Sequence, residues 1–325
     1  MRLRAPRSDF RRRGEQGFAL VLVIWGLGLI SLIAITVITA ERYRIQATAN
    51  VIYNAKAEAL AEAGVSLLRL ELASALAGNA SGNMRVATNG EPWLCVMPGE
   101  ALAALAVEDE GGKVDLNTAS AKLVSALLRG FGAGFDEADR LATAIAEFSR
   151  PSAGALLDDV AFRSYAADGR GFGPKKGPFE TVVELDQVIG MRSDLLRAVL
   201  PYVTVHSHKP GVDPRVAARA LLAALAGDEP ARVAQLAGNE AFQDNDAVRG
   251  IPPEFLSPST GHSFLVRAEV RVPAGGLFAQ EAIVELTGGD APALLREWRR
   301  GDGRFRARLN SAAHRSSAGN SWPPC

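Results

Sequence analysis

Between Glu15 and Glu41 the chain carries no charged residue, and residues 18–40 read as one apolar run, FALVLVIWGLGLISLIAITVITA. A helix needs about 20 such residues to cross a hydrocarbon layer about 30 Å thick. It can lie there because its backbone hydrogen bonds close internally. The pattern then changes without a break. ERYRIQATANVIYNAKAEALAEAGVSLLRLELASALAG holds no proline, and Ile45, Ile52, Leu60, Leu67 and Leu68 recur at helix-like intervals among polar residues. Gly78, Asn79, Ser81, Gly82 and Asn83 supply the stop. The expectation is a single long helix, membrane-spanning over residues 18–40 and amphipathic over 41–80.

Shorter patterns follow. Glu91–Met97 and Ala101–Glu108 predict strands, and Gly111-Gly112 predicts a turn before Lys113–Leu116. From Asn117 to about Ala226 the spacing is mainly helical. Strands return at His262–Val272 and Phe278–Leu286, joined by Pro273-Ala274-Gly275-Gly276 as a hairpin. Strands, a long helical stretch, then strands again imply one sheet interrupted by an insertion. The stretch from Arg300 is rich in Arg, Ser and Gly and is expected to be disordered.

Within the helical stretch one plan occurs twice. Val114-Asp115-Leu116-Asn117-Thr118-Ala119-Ser120 opens a helix that Thr118 or Asn117 can cap. Leu123, Val124, Leu127 and Leu128 form its apolar face, Gly130-Phe131-Gly132 closes it, and a second helix runs from Asp136 to Phe148. Later, a capped helix over Gly177–Leu185 leads through Val188-Ile189-Gly190-Met191 to another helix at Leu195-Leu196. These stretches resemble helix-hairpin-helix modules, and LNTAS followed by a Gly-x-Gly turn occurs in competence DNA receptors, where turn N–H groups grip phosphate. Against that reading, Lys122, Arg129 and Arg140 stand beside Asp136, Glu137 and Asp139, and the first helix follows Glu108, Asp109, Glu110 and Asp115. Residues 149–176 also separate the two halves, where a DNA-binding tandem is compact.

The leader is basic, with Arg2, Arg4, Arg7, Arg11, Arg12 and Arg13 against Asp9 and Glu15, an asymmetry that holds the N-terminus in the cytoplasm. The apolar run is longer than the core of a secretory signal, and Ile38-Thr39-Ala40 is a poor cleavage site. A plain single-span anchor is the other simple reading. The junction Arg13-Gly14-Glu15-Gln16-Gly17-Phe18 resembles the class III signal of type IV pilins and type II secretion pseudopilins. That resemblance implies cleavage by a prepilin peptidase between Gly17 and Phe18, retention of the helix, and N-methylation of Phe18. Most members carry Glu at the fifth residue after the cut; here it is Leu22. A carboxylate in lipid is retained only with a partner, and in such filaments the partner is the N-terminal ammonium of the subunit above.

An apolar residue at that place resembles the protein K family of type II secretion, the minor pseudopilins at the filament tip. Further motifs match in order: Asp109–Ala119, Pro174–Leu185, Val188–Met191, Pro201–Val205, and Phe264–Trp298. The resemblance covers about residues 11 to 300. It implies an α+β fold: a pilin-like long N-terminal helix packed on a small antiparallel sheet, with a large inserted all-helical domain of helix-hairpin-helix or SAM-like kind. The division it implies is a cleaved leader at 1–17, a span at 18–40, the soluble half of the helix at 41–80, sheet at 81–116 and 261–300, the insertion at 117–260, and a tail at 301–325. Implied partners are other minor pseudopilins (I and J type), the major pseudopilin, the prepilin peptidase and the inner membrane, with the bulk periplasmic; nucleic acid is not expected. The segment Ala146-Glu147-Phe148-Ser149-Arg150 departs from an acidic family motif.

Composition adds limits. The 325 residues are 48% hydrophobic and 22% charged with zero formal net charge, which argues against a chain built mainly for nucleic acid. Cys95 and Cys325 are compatible with a disulfide in an oxidising compartment and equally with two free thiols. Asp158, Asp159 and Asp168 are oxygen donors without EF-hand spacing, so no metal and no cofactor are expected. His206, Ser207, His208 and Asp213 lie close in sequence, but no nucleophile elbow is present, and no enzymatic activity is expected.

Overall fold

The computed structural model describes residues 13–76, 87–151, 155–237, 250–273, 275–287, 292–317 and 321–325. Helix α1 spans Arg13–Leu76 without interruption. The glycine- and asparagine-rich stop expected after Ala77 lies outside the described residues. Among the described residues, the second half of α1 is the part that packs on the rest of the chain. Ala57, Ala61, Val65, Leu68 and Leu72 are buried at spacings of three and four, one helix face, and Gly64 lies on that face. At Gly64 the helix approaches so closely that a Cβ would fall 2.9 Å from Ala268 Cβ and from Leu105 Cδ2.

That face packs on a five-stranded sheet made of β1 (Trp93–Met97), β2 (Ala101–Asp109), β5 (Ser263–Arg271), β6 (Leu277–Leu286) and β7 (Ala293–Arg300). The order is β1-β2-β5-β6-β7, antiparallel throughout, so the sheet follows chain order despite the long excursion between β2 and β5. Alternate residues turn to opposite faces. Ala103, Leu105, Val107, Val266, Ala268, Val270, Ala282 and Val284 form a core with α1. Leu102, Ala104 and Ala106 face the other way, under Phe305, Leu309 and Ala312.

Phe305 precedes, and Leu309 and Ala312 lie in, a helix that the sequence reading assigned to a disordered tail. Instead α8 runs Arg306–Ser317, and the chain beyond it returns to β1. Pro323 accepts the Val96 N–H at 2.8 Å, Cys325 donates to the Val96 carbonyl at 3.1 Å, and Cys95 and Cys325 form a disulfide. The stretch is polar because one side faces solvent; its few apolar residues are the ones that pack.

The insertion leaves at Asp109 through a 3-10 turn, Glu110–Gly112, and short strand β3, Val114–Asp115. Helices α2 (Ala121–Gly130), α3 (Phe135–Ser149), α4 (Ala155–Ala167) and α5 (Ser193–Val199) follow, then β4 (Val203–Thr204), α6 (Arg219–Leu225) and α7 (Pro230–Ala237). β3 and β4 pair in parallel, Val212 and Leu256 form an isolated bridge, and the other elements of the insertion among the described residues are helices; it starts some residues before Asn117. Its core joins Leu123, Leu127, Leu141, Phe148, Leu195 and Leu221, with the Phe148 and Phe179 rings stacked at 5.1 Å. One expected cap and one expected helix differ. Ser120, rather than Asn117 or Thr118, accepts the Leu123 N–H of α2, and the segment before Leu185 forms a 3-10 turn, Val182–Gln187, instead of an α-helix.

Candidate functional site

Gly17, Phe18 and Leu22 all lie within α1; Phe18 is 69% exposed and Leu22 57%. Ala57 is the first buried residue of the helix. At about 1.5 Å per residue, the stretch from Phe18 to Ile52 is roughly 50 Å long and is exposed almost throughout. It contains a window hydrophobic and long enough to cross a membrane. The sheet has a fixed polarity relative to this stalk. Gly276, in the β5–β6 turn, sits where a Cβ would fall 2.4 Å from the Tyr53 carbonyl oxygen, and Gly99, in the β1–β2 turn, sits against Lys56. At the opposite end Arg69 Nε donates to the Ala293 carbonyl at 2.8 Å. Ala293 pairs with Leu286, beside the start of β5 where the insertion returns. The insertion therefore sits at the end of the sheet away from the apolar stalk.

A chain of alternating charges joins it there. Lys113 Nζ lies 2.6 Å from Glu110 and 3.6 Å from Glu108. Arg267 reaches Glu108 at 2.5 Å and Glu281 at 2.9 Å. Arg299 reaches Glu281 and Glu297, each at 3.0 Å, and His206 Nε2 ends the row 3.0 Å from Glu297. The row starts where the insertion leaves and ends just past β4. Burial alone would raise the Glu108 carboxyl, but Lys113 and Arg267 overcome it and hold it at about 2. Burial would likewise strip the proton from Arg267, and the two flanking carboxylates keep it on. Glu281 is pulled below its usual range against its own burial, chiefly by Arg267. Such a row fixes one relative placement because breaking any buried link leaves a charge unpaired.

A second clip is polar. Asp109 accepts from Gly111 N–H at 2.8 Å and from the Ser259 hydroxyl at 2.7 Å, while Asp213 accepts the Ser259 N–H at 2.7 Å and binds Arg215. Asn117, expected as a cap, spans the two repeated motifs instead: its side chain donates to the Phe179 carbonyl at 2.9 Å and accepts the Phe179 N–H at 2.8 Å. A lone Asn in a loop gives no signal of a partner 62 residues away, so this role was invisible in the sequence.

The two hairpin-like motifs meet. Glu137 Oε1 lies 3.3 Å from Arg192, and a Cβ on Gly190 would fall 3.5 Å from Leu141 Cδ2. Carboxylates take several N–H groups next to the motifs. Gly134 N–H goes to Glu137 Oε2 at 3.2 Å, and the Glu180 and Thr181 N–H groups go to Glu184 Oε1 at 3.1 and 3.2 Å. Arg129 stacks over Phe135 at 4.8 Å from its centroid. Asp136 and Glu137 add negative charge in the first turn of α3.

The other candidates are dispersed. Ser207 and the His208 N–H both bind Asp115, His206 faces Glu297, and Asp213 binds Arg215. Asp168 pairs with Arg170 at 3.0 Å; the side chains of Asp158 and Asp159 lie outside the described residues. Among the described residues no group of three or more His, Cys, Asp or Glu converges as a metal site. A cleft of about 730 Å³ separates the insertion, at Val183, Leu200 and Tyr202, from the sheet, at Ile283 and Arg299.

Residues 102–208 match the family described as type II secretion system (T2SS), protein K. The matched segment runs from β2 through β4 and so holds the root of the insertion and both repeated motifs. The chain is also similar in fold to a chain of the GspK-GspI-GspJ complex from the enterotoxigenic Escherichia coli type 2 secretion system. The sequences are 15% identical, the similarity covers 80% of this chain and 99% of that one, and the TM-score is 0.51. No curated protein matches the chain.

Proposed function

We infer that this chain, whose residues 102–208 carry the protein K domain of the type II secretion system, is a minor pseudopilin. Its apolar helix anchors it in the inner membrane, N-terminus in the cytoplasm and bulk in the periplasm. From there it enters a short filament with other minor pseudopilins of the I and J types, on the major pseudopilin, and supports export of folded proteins. The observation that carries this reading is α1: one continuous helix, apolar and bare over its first half, packed on a sheet over its second half, ahead of a protein K domain.

Two features support the filament tip. The bulky insertion lies at the end of the sheet away from the stalk, where a subunit stacked above would collide with it. Leu22 removes the carboxylate that would receive the ammonium of such a subunit. Prepilin peptidase is the processing partner, cutting after Gly17. The chain acts as a structural part and not as an enzyme.

Mass spectrometry of the protein from membranes with active prepilin peptidase tests the processing, with an N-terminal methylated Phe18 expected. An intact Met1, or cleavage near Ala40, would overturn it. Crosslinking from residues 18–40 tests the place in the filament: a tip subunit crosslinks to a few other minor pseudopilins. Leu22→Glu places an unpaired carboxylate in lipid at about 2.5–3.5 kcal/mol and should not raise incorporation. Self-crosslinking along the filament, or higher incorporation of Leu22→Glu, would make it a shaft subunit.

A further inference from the structure

The two edges of the five-stranded sheet are treated differently. The outer edge of β1 is closed by Pro323–Cys325, which pair with Val96 and are fastened by the Cys95–Cys325 bond. The outer edge of β7 carries no strand among the described residues. An open edge offers a row of unpaired N–H and C=O groups to another chain.

The register shows which groups these are. The Gly301 N–H donates to the Ala279 carbonyl at 2.9 Å, and Glu281 stands opposite Arg299. Hydrogen-bonded and non-hydrogen-bonded pairs alternate along an antiparallel ladder. Arg299 and Gly301 therefore face β6, and the backbone groups of Trp298 and Arg300 face outward.

The side chains on the edge are equally uneven. Leu295 and Trp298 stand opposite Val284 and Ala282, on the face covered by α1, yet they are 41% and 44% exposed, whereas Ala293 at the start of β7 packs against α1. Charge on the strand is mostly positive, with Arg296, Arg299 and Arg300 against Glu297. Arg296 and Arg299 are ion-paired, with Glu285 and with Glu281 and Glu297. Arg300 has no carboxylate partner among the described residues and lies over the Phe278 ring. Arg197, across the cleft, bonds the Ser193 carbonyl of its own helix and has no carboxylate partner among the described residues.

A second copy of this chain is a poor occupant, since two β7 strands side by side would set arginines against arginines, and like charges directly opposite are destabilising. We propose that the open edge of β7 is a docking site for an extended acidic segment of a partner protein, which adds to the sheet as a sixth strand. Main-chain bonds to Trp298 and Arg300 supply the affinity, and alternate side chains supply the choice. Those on one face meet Leu295, Trp298 and Arg300. Those on the other meet the cleft and Arg197. The proposal holds whether or not the chain occupies a filament tip.

The test uses the full chain in mild non-ionic detergent with two synthetic probes, acetyl-(Glu-Val)4-amide and acetyl-(Lys-Val)4-amide. The glutamate peptide should bind saturably and slow amide exchange over residues 293–301. Raising salt to 0.5 M should weaken it, since exposed charges are screened over a few ångströms there. The double variant Arg197→Glu, Arg300→Glu, both exposed in the free protein, should lose about tenfold in affinity, about 1.4 kcal/mol, with its urea midpoint unchanged. Equal binding of the lysine peptide, binding that leaves exchange over 293–301 unaltered, or no saturation below 1 mM would overturn the proposal.

Discussion

Glu269 gives the sharpest test of how this sheet is held. It sits on β5 with 2% of its surface exposed, facing α8. One oxygen accepts the Phe305 N–H at 2.7 Å; the other has no hydrogen-bond partner among the described residues. Burial pushes its carboxyl up to about 7, with Asp302 and Glu281 adding repulsion and the Phe305 bond opposing. Its ordinary value is 4.5, so the folded state binds this proton more tightly than the unfolded state. The contribution to stability is full below about pH 4.5, falls as pH rises, and levels off above about pH 7. At about 1.4 kcal/mol per unit, the loss across that window is at most about 3 kcal/mol. Urea unfolding of the full chain in detergent at pH 5, 6, 7 and 8 measures it. Glu269→Gln keeps an acceptor for Phe305 and removes the titration. The variant should match the wild type near pH 5 and exceed it by about 1–3 kcal/mol at pH 8. Equal slopes in the two proteins, or wild-type stability that rises from pH 5 to 7.5, would show that Glu269 is solvated and the reasoning wrong.

Arg267→Met leaves Glu108 and Glu281 facing each other with only their outer partners, Lys113 and Arg299, and should cost about 3 kcal/mol in the urea midpoint; a loss under about 0.5 kcal/mol would mean the charge row adds little. Cys325→Ser opens a closure spanning 230 positions and should cost about 2–4 kcal/mol. Dithiothreitol should then lower the midpoint of the wild type and leave that of the variant unmoved. Gly130→Ala favours a helix by about 1 kcal/mol intrinsically, yet its Cβ would fall 2.3 Å from Ala224 Cβ and 2.6 Å from Ala224 Cα. It should therefore destabilise, by about 1–3 kcal/mol; a neutral or stabilised midpoint would show that α2 and α6 can part.

Signals that are local and periodic were legible in the sequence. The charge-free run after Gly17 and the two halves of the sheet on either side of a helical stretch each depend on neighbours within a turn or a strand. The buried face of the soluble half of α1 was misplaced: Ile45 and Ile52 are exposed, Leu60 and Leu67 are partly buried, and of the five periodic residues expected only Leu68 is fully buried, because the small residues Ala57, Ala61 and Gly64 make the close approach to the sheet. What was missed depends on distance along the chain. Asn117 reads as a cap and is a bridge to Phe179. Glu108 and Glu110 read as acids that would repel phosphate, and they instead join one row with Arg267, Glu281 and Arg299, because that pairing requires β2, β5, β6 and β7 to lie side by side. The segment after Arg300 has the composition of a disordered tail, and only the position of Cys95 on the sheet edge gives its last residues a place. Edge strand β7 was obscured because its outer residues alternate poorly, Trp298-Arg299-Arg300 being exposed in succession.

The order of strands in the sheet equals their order in the chain, and Asp109 stands opposite Phe264 at the point where the insertion departs and returns. Without residues 110–262 the remaining strands would form a plain meander, β2 turning directly into β5 with no crossing and no change of register. An ancestral chain could thus acquire its head by a single in-frame splice into one hairpin turn, every strand pairing preserved. The same geometry invites the reverse manipulation. A short turn grafted between Asp109 and Ser263 would yield a minimal shaft-shaped protein, and heads from other sources could be exchanged at the same two residues once the Ser259 clip and the His206 link were rebuilt.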